Sequence, residues 1–284
     1  MDESQVTPDQ PITSVDASEL TYFRKHPLWI VVPSVIFVAI VVYIFYRGGN
    51  AGVQVMVEEI IFLLAICFLP SLLIVRQRVQ DEFMRQFAEA NGYTFSPYGG
   101  NFGVLDGTLF RLGNGGSQSV TDVASGAYLS NPISLFDYSY ETGSGKYREA
   151  HYYTVFQLQF DTTMPDLLLE KKSFLSSDTL LGQLPEHIKL EGDFNKYFSL
   201  SIKKGYEVEA LEIFTPDVME ELEEKCKNLS LEIINSHLFI YDNKIIRTKV
   251  DLDALYDIAQ YFVQKLGPVL ARMKGSVEAM ESVQ

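Results

Sequence analysis

Four of the five tyrosines in the stretch FDYSYETGSGKYREAHYYTVF, Tyr138, Tyr140, Tyr152 and Tyr153, fall in two close pairs. A phenol ring presents an apolar face with a hydroxyl at its tip, so such a group suits partner binding on a sheet surface, although packing within the sheet uses the same rings. A second group is acidic: Asp217, Glu220, Glu221, Glu223 and Glu224. Glu220 and Glu224 stand one helical turn apart and could dock a basic partner. Acids near a helix N-terminus are also favoured by its dipole, which makes a solvated helix face the default use. A third pair, Glu58 and Glu59, abuts an uncharged run, EEIIFLLAICFLPSLLIV. Carboxylates inside a bilayer mark ion or proton paths, whereas at its edge they mark where a span begins.

The remaining motifs exclude more than they suggest. GSGK at 143–146 has the ending of a phosphate loop, but Tyr140 stands where that spacing needs glycine and Tyr147 where it needs Ser or Thr. The glycine cluster YGGNFG, with GNGG at 113–116, reads as turn chemistry. The four histidines, His26, His151, His187 and His237, are scattered singly, and Cys67 and Cys226 form no metal-ligand or disulfide spacing. No catalytic residue, metal site or cofactor is therefore assigned. An enzyme would need a pocket joining Asp122, His151 or Glu209. A formal net charge of −14 without a cluster of Lys and Arg argues against nucleic acid as a partner.

These groups must be held by elements of two kinds. Residues 28–46, LWIVVPSVIFVAIVVYIFY, carry no charge and as a helix would extend about 28 Å, close to the thickness of a bilayer core. Trp29, Tyr43 and Tyr46 suit the interfaces. The run Ile60–Val75 is shorter and contains Pro70; extended back to residue 53 it spans fully, which places Glu58 and Glu59 about one and a half turns from the helix start and favours the interfacial reading. Arg24 and Lys25 precede the first span and Arg76, Arg78 and Arg85 follow the second, against Arg47 alone between them, so both termini are expected in the cytoplasm. The polar leader, residues 1–20, is expected to be disordered.

Beyond the spans, Val79, Phe83, Phe87 and Ala90 keep a helical period that Asn91 and Gly92 should stop. The period then changes. YTF, GVLDGTLFRL, SVTDVASGAYL and ISLFDYSYE read as strands, and ISLFDYSYE should form a hairpin with YREAHYYTVFQLQFD across TGSGK. DLLLEKK, HIKLEG, YFSLSI and VEALEIF read as further strands, with SFLSSDTLLGQLPE a loop or short helix. TPDVMEELEEKCKN should be a helix capped by Thr215, with Pro216 at its first position. SLEII and HLFIY should pair about Asn235 and Ser236. A helix from Asp251 to Met273 should kink at Gly267 and Pro268, leaving 275–284 frayed.

The run FNKYFSLSIKKGYEVEALEIFTPDVMEEL, followed by SLEIINSHLFIY, resembles bacterial membrane-anchored proteins known as domain of unknown function 3137. The likeness rests on Phe194, Phe198, Glu209, Ala210, Thr215, Pro216, Met219 and Leu222, and on the N-terminal membrane hairpin. It covers about residues 80–245 and implies a tethered domain without an assigned activity or catalytic residue. The sequence thus predicts an α+β protein: a two-helix transmembrane hairpin (28–46 and 53–75), then a cytoplasmic domain over 79–274 of mostly antiparallel sheet with flanking helices. The expected role is a binding or scaffold module at the inner membrane, in contact with the bilayer through residues 28–75 and with a protein partner or a second copy. The alternatives are an enzyme with an unrecognised site, or a small transport component using Glu58 and Glu59.

Overall fold

A computed structural model describes residues 11, 24–47, 53–99, 105–112, 118–161, 164–172, 186–190, 192–226 and 228–269. The leader (Pro11 apart), the segment 173–185 and the tail lie outside the described residues. The chain divides into two compact units near residue 86.

The first unit holds α1 (Leu28–Arg47) and most of α2 (Val53–Ala90). Pro33 falls inside α1, where the Ser34 hydroxyl donates to the Ile30 carbonyl at 2.7 Å. Phe37 and Phe68 meet edge to face at 5.9 Å, so the two helices pack through aromatic side chains. Among the described residues no helix is long and apolar enough to cross a membrane. Read over its whole sequence, α1 carries one charge, Arg47, at its very end. The helical backbone of α2 includes Glu58 and Glu59, whose side chains lie outside those described.

Where α2 ends, Gly92 adopts φ +68° and the Tyr93 N–H donates to the Ala88 carbonyl at 2.8 Å. Glycine has no Cβ to oppose that left-handed turn, which is why the helix stops there. The second unit is a nine-stranded antiparallel sheet in the order β1-β2-β3-β4-β9-β8-β5-β7-β6. Its strands are β1 (Thr94–Tyr98), β2 (Ser119–Tyr128), β3 (Asn131–Thr142), β4 (Glu149–Gln159), β5 (Leu167–Lys171), β6 (Glu186–Ile188), β7 (Phe198–Ile202), β8 (Ser230–Ile234) and β9 (His237–Asp242). The expected hairpin of β3 and β4 forms with Phe136 opposite Val155 and Tyr138 opposite Tyr153. The hairpin of β8 and β9 turns on Asn235 and Ser236 at φ +47° and +63°, the paired left-handed conformation that matches strand twist. Inserted beside β4, it joins the tyrosine-rich strands to the rest of the sheet.

Both sheet faces are covered. On one, Phe136, Val155, Leu168, Phe239 and Tyr241 pack with Leu109 and Phe110 from a short 3-10 turn, Thr108–Arg111. On the other, Phe156 meets Tyr256 of α6 (Lys249–Tyr261) at 5.0 Å. Leu252, Leu255, Ile258 and Ala259 form the buried stripe of that helix.

Three local expectations need correction. GVLDGTLFRL is not a strand over its described part, 105–112: Leu109 and Phe110 are both buried, as a tight turn allows and an alternating edge strand does not. VEALEIF forms a helix, α4 (Glu207–Ile213), after α3 (Phe194–Tyr197). Its alternation of Glu with apolar residues imitates a strand, but Ala210 and Ile213 bury at helical spacing and Ala, Leu and Glu are strong helix formers. In α5 (Pro216–Lys225), Thr215 stands at the cap position yet its side chain accepts no hydrogen bond. The last helix ends as a π-helical turn, Phe262–Leu266, in which the Gly267 N–H reaches back five residues to the Phe262 carbonyl. Pro268 follows directly, and the wider turn is how the helix accommodates a residue without a donor.

Candidate functional site

The β3–β4 register puts Tyr138, Tyr140 and Tyr153 on one sheet face and Tyr152 on the other. The first three are buried, whereas Tyr152 is 53% exposed. Tyr140 stacks on Tyr153 with 5.9 Å between centroids and on His151 with 4.7 Å, while Phe110 meets Tyr138 edge to face at 4.9 Å. The His151 ring is held in turn by Thr142, 2.9 Å away. Burial raises the Tyr138 hydroxyl to about 12 and also pushes those of Tyr153 and Tyr241 well above the usual phenol range. These phenols stay neutral in ordinary buffers. They offer rings and hydrogen bonds.

Beside them lies a carboxyl group that sequence reasoning did not single out. Glu232 on β8 is 1% exposed, and both of its oxygens accept from the Thr108 N–H, at 2.8 and 2.9 Å. A Cβ at Gly107 would stand 2.9 Å from Glu232 Oε2 and 3.0 Å from the Phe110 ring, so a bare glycine is what lets the turn approach the acid. Burial raises Glu232 to about 7, and the Thr108 hydrogen bond only partly opposes this. No sequence signal marked it, because SLEII reads as an ordinary strand in which Glu232 belongs to the solvent face.

The opposite face carries a buried ionic knot. Arg247 Nη2 pairs with Asp122 at 3.0 Å and with Asp137, and Nη1 donates to the Ile246 carbonyl at 2.6 Å. Thr154 donates to Asp137 at 2.8 Å and accepts from the Ile246 N–H at 2.8 Å. Asp122 reaches this place through a β-bulge between Thr121 and Ala124, at φ +52°. One guanidinium fork thereby ties β2, β3 and the β9–α6 loop together.

The residues named for a possible enzyme stay apart: Asp122 belongs to the Arg247 knot, His151 shares the opposite face with Tyr140, and Glu209 is on α4. His187 bonds Ser201 on the neighbouring strand β7, and His237 bonds the Asn235 carbonyl in the β8–β9 turn. Among the described residues no group of His, Cys, Asp and Glu could hold a metal ion.

No family model matches this chain, and no curated protein matches it in sequence. Among solved structures, the crystal structure of the mycobacterial trehalose monomycolate transport factor A is similar over 65% of this chain and 93% of that one, at 10% identity and a TM-score of 0.42. A likeness of that strength carries no functional argument. The geometry of this chain must speak for itself.

Glu220 and Glu224 are exposed on α5, and Glu221 pairs with Lys225 at 3.3 Å one turn on. On the preceding helix Val208 and Leu211 are also exposed, at 65% and 56%. The two consecutive helices therefore present apolar and acidic side chains to solvent, while the tyrosine cluster is turned inward.

Proposed function

We propose that the protein is a two-span inner-membrane protein with both termini in the cytoplasm, whose α+β domain is a tethered binding or scaffold module of the kind suggested by the resemblance to domain of unknown function 3137. The observation that carries the membrane part is the exposed apolar surface of the helix pair. On α1 it runs from Ile30, at 45% exposed, to Tyr46, at 91%, through Val35, Val38 and Val42; on α2 it takes in Phe62, Leu69 and Leu73. Apolar surface of this extent on two successive helices calls for a cover, and a bilayer fits a helix about 30 Å long. Glu58 and Glu59 are then interfacial, and the transport alternative loses its main support.

The binding part draws on the second unit. Its buried Asp122 and Asp137 are paired with Arg247 in a structural role, whereas Glu220, Glu224, Val208 and Leu211 face outward. Mixed acidic and apolar surface suits a protein partner with a basic rim or a second copy of this chain, and it repels nucleic acid. In-membrane crosslinking of the tagged full-length chain, read by mass spectrometry, tests this. A reproducible protein crosslinked through residues 207–225 is the expected result. If self-crosslinks outside that region are all that appear, the module reading fails and the enzyme alternative gains weight.

A further inference from the structure

The turn Thr108–Arg111 lies over the tyrosine-bearing face of the sheet, held there by rings and by an acid. The Phe110 ring meets Tyr138 at 4.9 Å, Phe239 at 5.3 Å and Phe136 at 6.1 Å. The acid is Glu232, whose two oxygens share the single Thr108 N–H. We propose that Glu232 and this turn form a proton-operated clasp: the turn stays seated while the acid is protonated, and loss of the proton lets it lift and bare the rings of Tyr138 and Phe239.

The acid is placed where a charge is costly. It is 1% exposed, and the turn presses so close that a Cβ at Gly107 would stand 2.9 Å from Oε2. The charged groups around it offset little of that cost. Arg111 acts on it from the solvent-exposed end of the turn, and Asp166, ahead of β5, opposes Arg111. On β9 the buried Tyr241 feels both Glu232 and Glu170 of β5, and Asp106 is taken up by Asn235 Nδ2 at 2.9 Å. An ionised carboxylate has about four acceptor sites, and one N–H leaves most of them unused. A protonated acid instead has a hydrogen to give, and the buried Thr108 hydroxyl, otherwise without a partner, is close enough to take it. Lifting the turn lets water reach the carboxylate. Burial holds the seated acid at about 7 against 4.5 in water, so the open fraction grows as pH rises between those values and levels off above them.

The test is amide hydrogen exchange of the full-length chain in detergent at pH 5.5 and pH 7.5, corrected for the intrinsic rate. In the turn, the Thr108, Phe110 and Leu112 amides are hydrogen-bonded, and their protection should fall about tenfold or more between the two. The β3 and β4 amides should stay at least about tenfold better protected than the turn at pH 7.5, which separates lifting of the turn from global unfolding. His151, His187 and His237 share this face, and Glu232→Gln distinguishes their titration from that of the acid. In that variant the protection of the turn should hardly change with pH. Turn protection in the native chain that is equal at both pH values, or that matches the strands at pH 7.5, overturns the proposal without recourse to any variant. So does a pH response that survives in Glu232→Gln. The readout needs neither a bilayer nor a partner, so its failure would leave the membrane-module reading untouched.

Discussion

The buried Glu232 shows how one residue can set the pH response of a fold. Its carboxyl is raised from 4.5 to about 7 by burial. Below 4.5 the group is protonated in both folded and unfolded chains; between 4.5 and about 7 the native state keeps a proton that the unfolded chain releases. Stability therefore falls as pH rises through that window, by up to roughly 3 kcal/mol. Glu232→Gln cannot ionise and keeps an oxygen for the Thr108 N–H. Urea unfolding at pH 5 and pH 8 should find the variant gaining on the native chain by about 1–3 kcal/mol between the two. An equal difference at both pH values would show that Glu232 is not held neutral. This residue was illegible in the sequence because the turn that covers it, Gly107 to Arg111, read as another strand.

At the scale of elements, the Arg247 knot decides where α6 starts. It anchors the loop from β9 at both Asp122 and Asp137, and Thr248 then caps α6 by accepting the Asp251 N–H at 3.2 Å. Arg247→Met leaves two buried carboxylates without their cation, a change that costs on the order of 3–5 kcal/mol. Denaturant melts should show that loss, and Arg247→Lys should recover part of it, since an ammonium keeps the charge but lacks the fork. A variant within 0.5 kcal/mol of the native chain, on the scale of an ordinary surface change, would mean the knot is incidental. The strands around it were readable from alternation, and the β8–β9 turn from Asn235 and Ser236. The bulge at Asp122 was not, because it exists only in relation to the neighbouring strand. Nor was α4, whose Glu–apolar alternation satisfies both periods until Ala210 and Ile213 find a surface to bury against.

For the whole molecule, the proposed topology makes a direct forecast. Single cysteines placed at Ser18 and Ser176 should be shielded from a membrane-impermeant thiol reagent in intact cells, and one at Asn50 should react. Labelling at position 18 or 176 with position 50 protected would invert the topology, and labelling at one terminus alone would remove a span. The sequence by itself determined the two long apolar runs, the acidic balance, the period-2 strands and the tight turns, because each depends on neighbours a few residues apart. Tertiary structure alone decided that Tyr138, Tyr140 and Tyr153 face inward while Tyr152 does not. It also decided that Glu232 is buried beneath Thr108 and that Asp122 and Asp137 share one arginine. Those facts rest on contacts between residues tens to hundreds of positions apart, and only the sheet order and the helix packed on it bring such partners together.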